Sequence, residues 1–170
     1  MIAKFIGKDE IDKAKALITQ DLINKHSEQL EPSNNMLSFL TQAKNHHNTQ
    51  KILNHFADKM TIKDELGVYS GEGLARFRYL NYIIPTIENP LIIIRRAKRN
   101  IYLKSFLDKK NHIHRFVVIT ENTQNGEVFI TAFKTENNKN IKRLMNNADE
   151  VEFVGMLPQI PLNSLHGIGE

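Results

Sequence analysis

Apolar residues recur every three or four positions through the first part of the chain, then every second position or in unbroken runs after Pro90. From Lys8 to Lys25, the set Ile11, Ala14, Leu17, Ile18, Leu22 and Ile23 forms the stripe of one amphipathic helix. Pro32 and Ser33 break the chain and recap it, and Met36, Phe39, Leu40, Ala43, Ile52, Leu53 and Phe56 repeat a helical spacing. Together these patterns predict an N-terminal helical hairpin. Gly67, Gly71 and Gly73 mark a boundary, after which Leu74 to Ile84 reads as a short helix carrying Arg76 and Arg78 and ended by Pro85 and Asn89-Pro90.

Beyond Pro90 the strand period takes over. Leu91 to Ile94 is an apolar run, Ile101 to Leu107 alternates, Phe116 to Ile119 is apolar, and Val128 to Phe133 is rich in strand formers. Asn125-Gly126 is a strong hairpin signal, because the tightest turn needs positive φ at both positions. With those two as the turn residues, Thr120 faces Thr131, and one sheet face holds Phe116, Val118, Thr120, Phe129, Thr131 and Phe133. Asn137 to Asn147 reads as a further short helix, Val151 to Val154 as a last edge strand, and Met156 to Glu170 as an aperiodic tail. The expected organisation is a helical hairpin over 1–60, an α+β unit over 61–155 and a tail over 156–170.

Charge sharpens this picture. Of 170 residues, 41% are hydrophobic, enough for one core or one core with a small helical appendage. The net charge is +4, yet the segment from Arg95 to Arg115 alone carries +7: Arg95, Arg96, Lys98, Arg99, Lys104, Lys109, Lys110 and Arg115 against Asp108. So local an excess, threaded with Tyr102 and Phe106, points to a polyanion partner. The absence of cysteine excludes disulfides and thiolate-bound metals. No predominantly apolar stretch of about 18 residues spans a membrane, and Met1 to Lys8 lacks the apolar core of a leader. A cytoplasmic site of action is expected, reached directly or by delivery into a target cell.

The chemistry belongs to the strands. On Ile101 to Leu107, Tyr102, Lys104 and Phe106 point one way, leaving Ile101, Leu103, Ser105 and Leu107 for the core. A phenol and an ammonium about 7 Å apart on an open face could hold a scissile phosphate. Metal-independent RNA cleavage needs a base for the 2′-hydroxyl, an acid for the leaving 5′-oxygen and cations for the phosphorane. The plain alternative is a solvated strand face. His112 and His114 could share a strand face as acid–base groups, or with Asp108 bind a metal. His26, His46, His47 and His55, the last one turn before Asp58, do not make a ligand set, and no phosphate-cradling glycine loop is present.

The run Asn89-Pro90 before an apolar strand, then Tyr102-Leu103-Lys104, Val117-Val118 and Thr131-Ala132-Phe133, resembles the phage-associated branch of the barnase–EndoU–colicin–RelE group of ribonucleases. The resemblance covers Leu74 to Val154. It implies an α+β fold, N-terminal helices packed against a four-stranded antiparallel β-sheet whose open face cuts RNA without metal or cofactor, often as a toxin of phages and mobile elements. Position by position it supports Tyr102, Lys104 and Thr131. Related domains often carry a histidine before the apolar strand, where this chain has Tyr69-Ser70 and Arg76, so His112 or His114 would substitute.

The expected activity is therefore endoribonuclease cleavage to a 2′,3′-cyclic phosphate. Lys104, Tyr102, Thr131, His112 and His114 are the catalytic candidates, and Arg76, Arg78, Arg95, Arg96, Arg99, Thr120 and Lys134 the substrate-binding ones. RNA, with tRNA as one candidate, is the expected partner, and a cognate inhibitor protein a candidate second. The competing reading is a non-catalytic module binding nucleic acid or an acidic partner by the same face. ADP-ribose transfer ranks last, because Glu150-Val151-Glu152 lacks an accompanying Ser-Thr-Ser pattern.

Overall fold

Strands drawn from both ends of the chain share one sheet. The computed structural model describes residues 4–35, 39, 41 and 78–154. Among them are β1 (Lys4–Gly7), β2 (Glu28–Gln29), β3 (Ile92–Arg96), β4 (Arg99–Leu107), β5 (Ile113–Thr123), β6 (Gly126–Thr135) and β7 (Glu150–Phe153). Their order is β1-β7-β3-β4-β5-β6, antiparallel throughout, with β2 added parallel to the end of β4 at Phe106 and Leu107. The protein is a mixed α+β fold, and its sheet has seven strands among the described residues rather than four. The expected edge strand, β7, lies inside the sheet, because Lys4–Gly7 pairs along its outer side.

The helices are short. The single helix expected over Lys8 to Lys25 is divided into a 3-10 turn (Lys8–Glu10), α1 (Ile11–Ala16) and α2 (Gln20–His26). The break falls at Thr19, whose extended backbone and Oγ1, accepting from Leu22 N at 3.1 Å, cap α2. The apolar stripe survives the break, since Ala14, Ile18 and Ile23 are buried and Ile11, Leu17 and Leu22 pack beside them. Pro85 does not end a helix. It occupies the first turn of α3 (Ile83–Glu88), entered through a 3-10 turn (Leu80–Tyr82), where its missing N–H costs nothing. The last helix, α4 (Asn138–Leu144), is capped by Asn137, which accepts from Asn140 N. Apart from Phe39 and Thr41, the helical pattern from Met36 to Phe56 lies outside the described residues, as do its histidines, the glycine boundary, Arg76 and the tail from Met156.

The sheet is covered on both faces. One carries Ile92, Ile94, Ile101, Leu103, Val117, Val151 and Phe153 against residues of α1, α2 and α4. On the other, Phe106, Phe116, Val118, Phe129 and Ala132 pack with Phe39, Leu80, Tyr82, Ile83 and Ile84. The alternation read along β4 is therefore correct, but the Tyr102–Lys104–Phe106 side is not an open face: Phe106 is fully buried and Lys104 is 6% exposed.

The β5–β6 hairpin departs from its expected register. Thr123 pairs with Gly126, so Gln124 and Asn125 are the turn residues, and Gly126 takes the positive φ (109°). That two-residue shift brings Phe129, in place of Thr131, opposite Thr120 and leaves it on the same face. A bulge then adds one residue, so Ile119 pairs with Thr131 and Val117 with Phe133. Because side chains alternate with period 2, Thr131 and Phe133 turn to the helix-covered face, away from Thr120 and Tyr102.

Candidate active site at the β4–β5 turn

Asp108 organises the turn that joins β4 to β5. Its Oδ1 accepts from the backbone N–H groups of Lys110 (2.8 Å) and His112 (2.9 Å), and Asn111 takes the positive φ (64°) that closes the loop. Its Oδ2 lies 2.8 Å from His114 Nε2 and 3.7 Å from His112 Nδ1. The hydrogen bond from His114, then the backbone N–H of His112, hold the Asp108 carboxyl low, at about 2. An ionised carboxylate can only accept, so Nε2 of His114 carries the shared proton.

The two imidazoles differ in exposure. The side chain of His114, in β5, is 9% exposed and that of His112, just before the strand, is 70% exposed. Rings of Tyr79 (5.5 Å) and Tyr82 (6.0 Å) flank His114, and its buried Nδ1 has no hydrogen-bond partner. His112 stands in solvent beside Lys109 and Lys110, neither of which ion-pairs with a carboxylate among the described residues. A pocket of about 340 Å³ opens at the same turn, lined by Leu30, Glu31, Leu107, Asp108, Lys109 and Asn111. An exposed imidazole steered by a carboxylate, with two free ammonium groups and a cavity alongside, can transfer a proton and stabilise an anion.

Other predicted residues sit elsewhere. Lys104 Nζ donates to the Asn89 carbonyl at 2.8 Å and lies 3.2 Å from Glu28 Oε1. Tyr102 shares its face but donates to Glu127, as does Thr120, while Asn100 Nδ2 reaches the same Oε2 at 3.2 Å. Burial first, then the bond to Glu127 and its charge, raise the Tyr102 phenol above its ordinary range, so it stays protonated. At a rise of about 3.3 Å per residue, Thr120 is about 20 Å along β5 from His114, too far to share one scissile phosphate.

The basic segment is divided in the same way. Arg95 binds Glu150 (2.6 Å) and Glu152 (2.9 Å), and Arg99 approaches Glu121 (3.4 Å). Burial lowers the Arg115 guanidinium, which donates to Asn138, Gln20 and the Glu136 carbonyl and ties α2 and α4 to the sheet. Arg96 donates to the Asn146 carbonyl at 2.9 Å. Arg78 and Lys134 lie over the Tyr79 ring at 5.8 and 5.5 Å, on the covered side of His114.

Sequence reasoning missed Asp108 as an orienting group, as well as Tyr79 and Glu127. The spacing Asp-x-x-x-His-x-His was the available signal for Asp108, since a tight turn returns both histidines to one carboxylate. No spacing signals Glu127, which reaches Tyr102 only through strand pairing. Among the described residues, no three His, Asp or Glu side chains converge as a metal site requires, and no helix is long and apolar enough to cross a membrane.

No curated protein and no solved structure matches this chain. One family model, described as phage-Barnase-EndoU-ColicinE5/D-RelE like nuclease 2, matches residues 38–148, more than half of the chain, and the chain belongs to that nuclease family.

Proposed function

We propose that this nuclease is a metal-independent endoribonuclease, a toxin or effector domain of a phage or mobile element, with His112 as its proton-transfer group. One observation carries the reading: a single oxygen of Asp108, a residue that lines a pocket with Lys109, is flanked by a buried imidazole, His114, and an exposed one, His112. His114 holds the carboxylate in place, and the carboxylate steers His112 and offsets the charge it gains. His112 takes the proton of a ribose 2′-hydroxyl, whose oxygen attacks the adjacent phosphorus. The bond to the 5′-oxygen breaks, leaving a 2′,3′-cyclic phosphate. Lys109 and Lys110 supply positive charge for the phosphorane and a proton for the leaving oxygen.

The test is digestion of total RNA and of tRNA in EDTA, with mapping of the fragment ends. Discrete fragments ending in cyclic phosphate, reduced about 10²-fold or more by His112→Ala, are expected. RNA that is retarded in a gel but left intact would favour a non-catalytic binding module. Lys104→Ala separates this site from the sheet face: an equal loss there would relocate the chemistry to the paired, buried ammonium.

A further inference from the structure

The cations of the basic segment fall into two classes by their partners. Arg95, Arg99 and Lys104 face carboxylates, and Arg115 is buried among amide and carbonyl partners. Four others do not: among the described residues, neither Arg96 and Lys98 at the β3–β4 turn nor Lys109 and Lys110 at the β4–β5 turn make an ion pair. The β3–β4 end is reinforced from the N-terminus. Lys8 and Lys15 line a cavity of about 440 Å³ with Asp12 and Asn146, and Lys15 Nζ donates to Asn146 Oδ1. Asn146 also accepts Arg96 through its carbonyl, so one neutral residue gathers two uncompensated cations. Asp12 lines the same cavity without an ion pair among the described residues, and Asp149 is engaged in capping Ala97 N at 2.9 Å.

We propose that Lys8, Lys15, Arg96 and Lys98 form a second phosphate-binding surface for single-stranded RNA, distinct from the cleavage site. The inference rests on the nuclease reading above and specifies its substrate. The ends of β4, Arg99 and Leu107, are eight residue steps apart, about 26 Å at a strand's rise of ~3.3 Å. A stacked strand places a phosphate about every 3.4 Å, so about eight nucleotides join the two cationic ends. Between them Lys104 is already paired with Glu28, so an RNA is held at its two ends and crosses the middle with little charge attraction. Short oligonucleotides engage one end only.

The experiment compares a dinucleotide and a 20-nucleotide RNA carrying the same cleavable step, for the wild type and for the double variant Lys8→Ala, Lys98→Ala. Neither side chain makes a hydrogen bond or ion pair among the described residues, so folding should be preserved, with circular dichroism as the check. The variant is expected to raise KM for the 20-mer about tenfold, leave its kcat unchanged and leave dinucleotide cleavage untouched. Its salt slope for the 20-mer should fall by about 0.7 per lost contact. An unchanged KM for the 20-mer overturns the proposal, and so does an equal loss on both substrates.

Should the wild type cut neither RNA, the nuclease reading falls, and equilibrium binding of the uncut 20-mer then decides the surface. Weaker binding with a shallower salt slope in the variant supports it. Equal binding overturns it, even where the same cations hold an acidic protein.

Discussion

Asp108 Oδ2 and His114 Nε2 lie 2.8 Å apart, bridging the five-residue connection between β4 and β5 through a carboxylate that also holds the His112 backbone N–H. On the proposed mechanism, His114 acts through Asp108 rather than on substrate. Asp108→Asn should lower kcat about tenfold or more with KM unchanged, because the amide still fits the turn but cannot offset an imidazolium. A change confined to KM would instead make Asp108 a substrate contact.

The same pair contributes to stability in acid. The Asp108 carboxyl is held at about 2, below its ordinary 3.8, so the folded state favours the ionised form. The stability it contributes is present above about pH 4 and is lost as the pH falls through about 2. Urea unfolding across this range should show wild-type stability dropping more steeply than that of Asp108→Asn. Parallel profiles would mean that the unfolded chain holds the carboxyl just as low.

Ala97 adopts φ 54° in the two-residue turn between β3 and β4. A Cβ in the left-handed region costs about 1–2 kcal/mol, partly offset by the extra freedom that glycine has in the unfolded chain. Ala97→Gly should therefore stabilise the protein by about 0.5–1 kcal/mol, read as a shift of the denaturation midpoint at constant slope. Destabilisation would mean that the methyl group makes a packing contact worth more than the strain.

Arg115 is 8% exposed and joins Gln20 and Asn138 without a carboxylate partner among the described residues. Truncation leaves those amides facing a buried gap, so Arg115→Ala should cost about 2–4 kcal/mol. RNA binding at a temperature where the variant is still folded should change little, although Arg115 belongs to the basic segment. A loss of RNA affinity larger than the loss of stability would return it to the binding surface.

Tyr102 offers a test of the sheet face. Its hydroxyl donates to Glu127, so Tyr102→Phe should cost about 1–2 kcal/mol of stability and leave cleavage within a few-fold of wild type. A fall of 10²-fold would bring the Tyr102–Glu127 cluster into the catalytic centre.

Particular residues mark how far sequence reasoning reached. The stripe from Ile11 to Ile23 was read correctly as a buried face although the helix breaks at Thr19, because burial follows periodicity while the break follows one cap. The alternation along β4 was read correctly too. Thr131 was misplaced because a single bulged residue between Phe129 and Thr131 reverses every side chain beyond it, and the Asn125-Gly126 signal does not encode a bulge. The motifs from Leu74 onward were enough for the family, yet the match begins at residue 38, where no short motif stands out.

The sequence by itself determined the change from helical to strand periodicity, the basic segment and the nuclease family, since each is written in neighbouring residues. Only the tertiary structure decided that β1 closes the sheet beside β7, that Glu28, Glu150 and Glu152 neutralise Lys104 and Arg95, and that Asp108 is shared between two histidines. Charge pairing and strand register depend on residues far apart in the chain, and a local pattern does not specify which distant carboxylate or strand will arrive beside it.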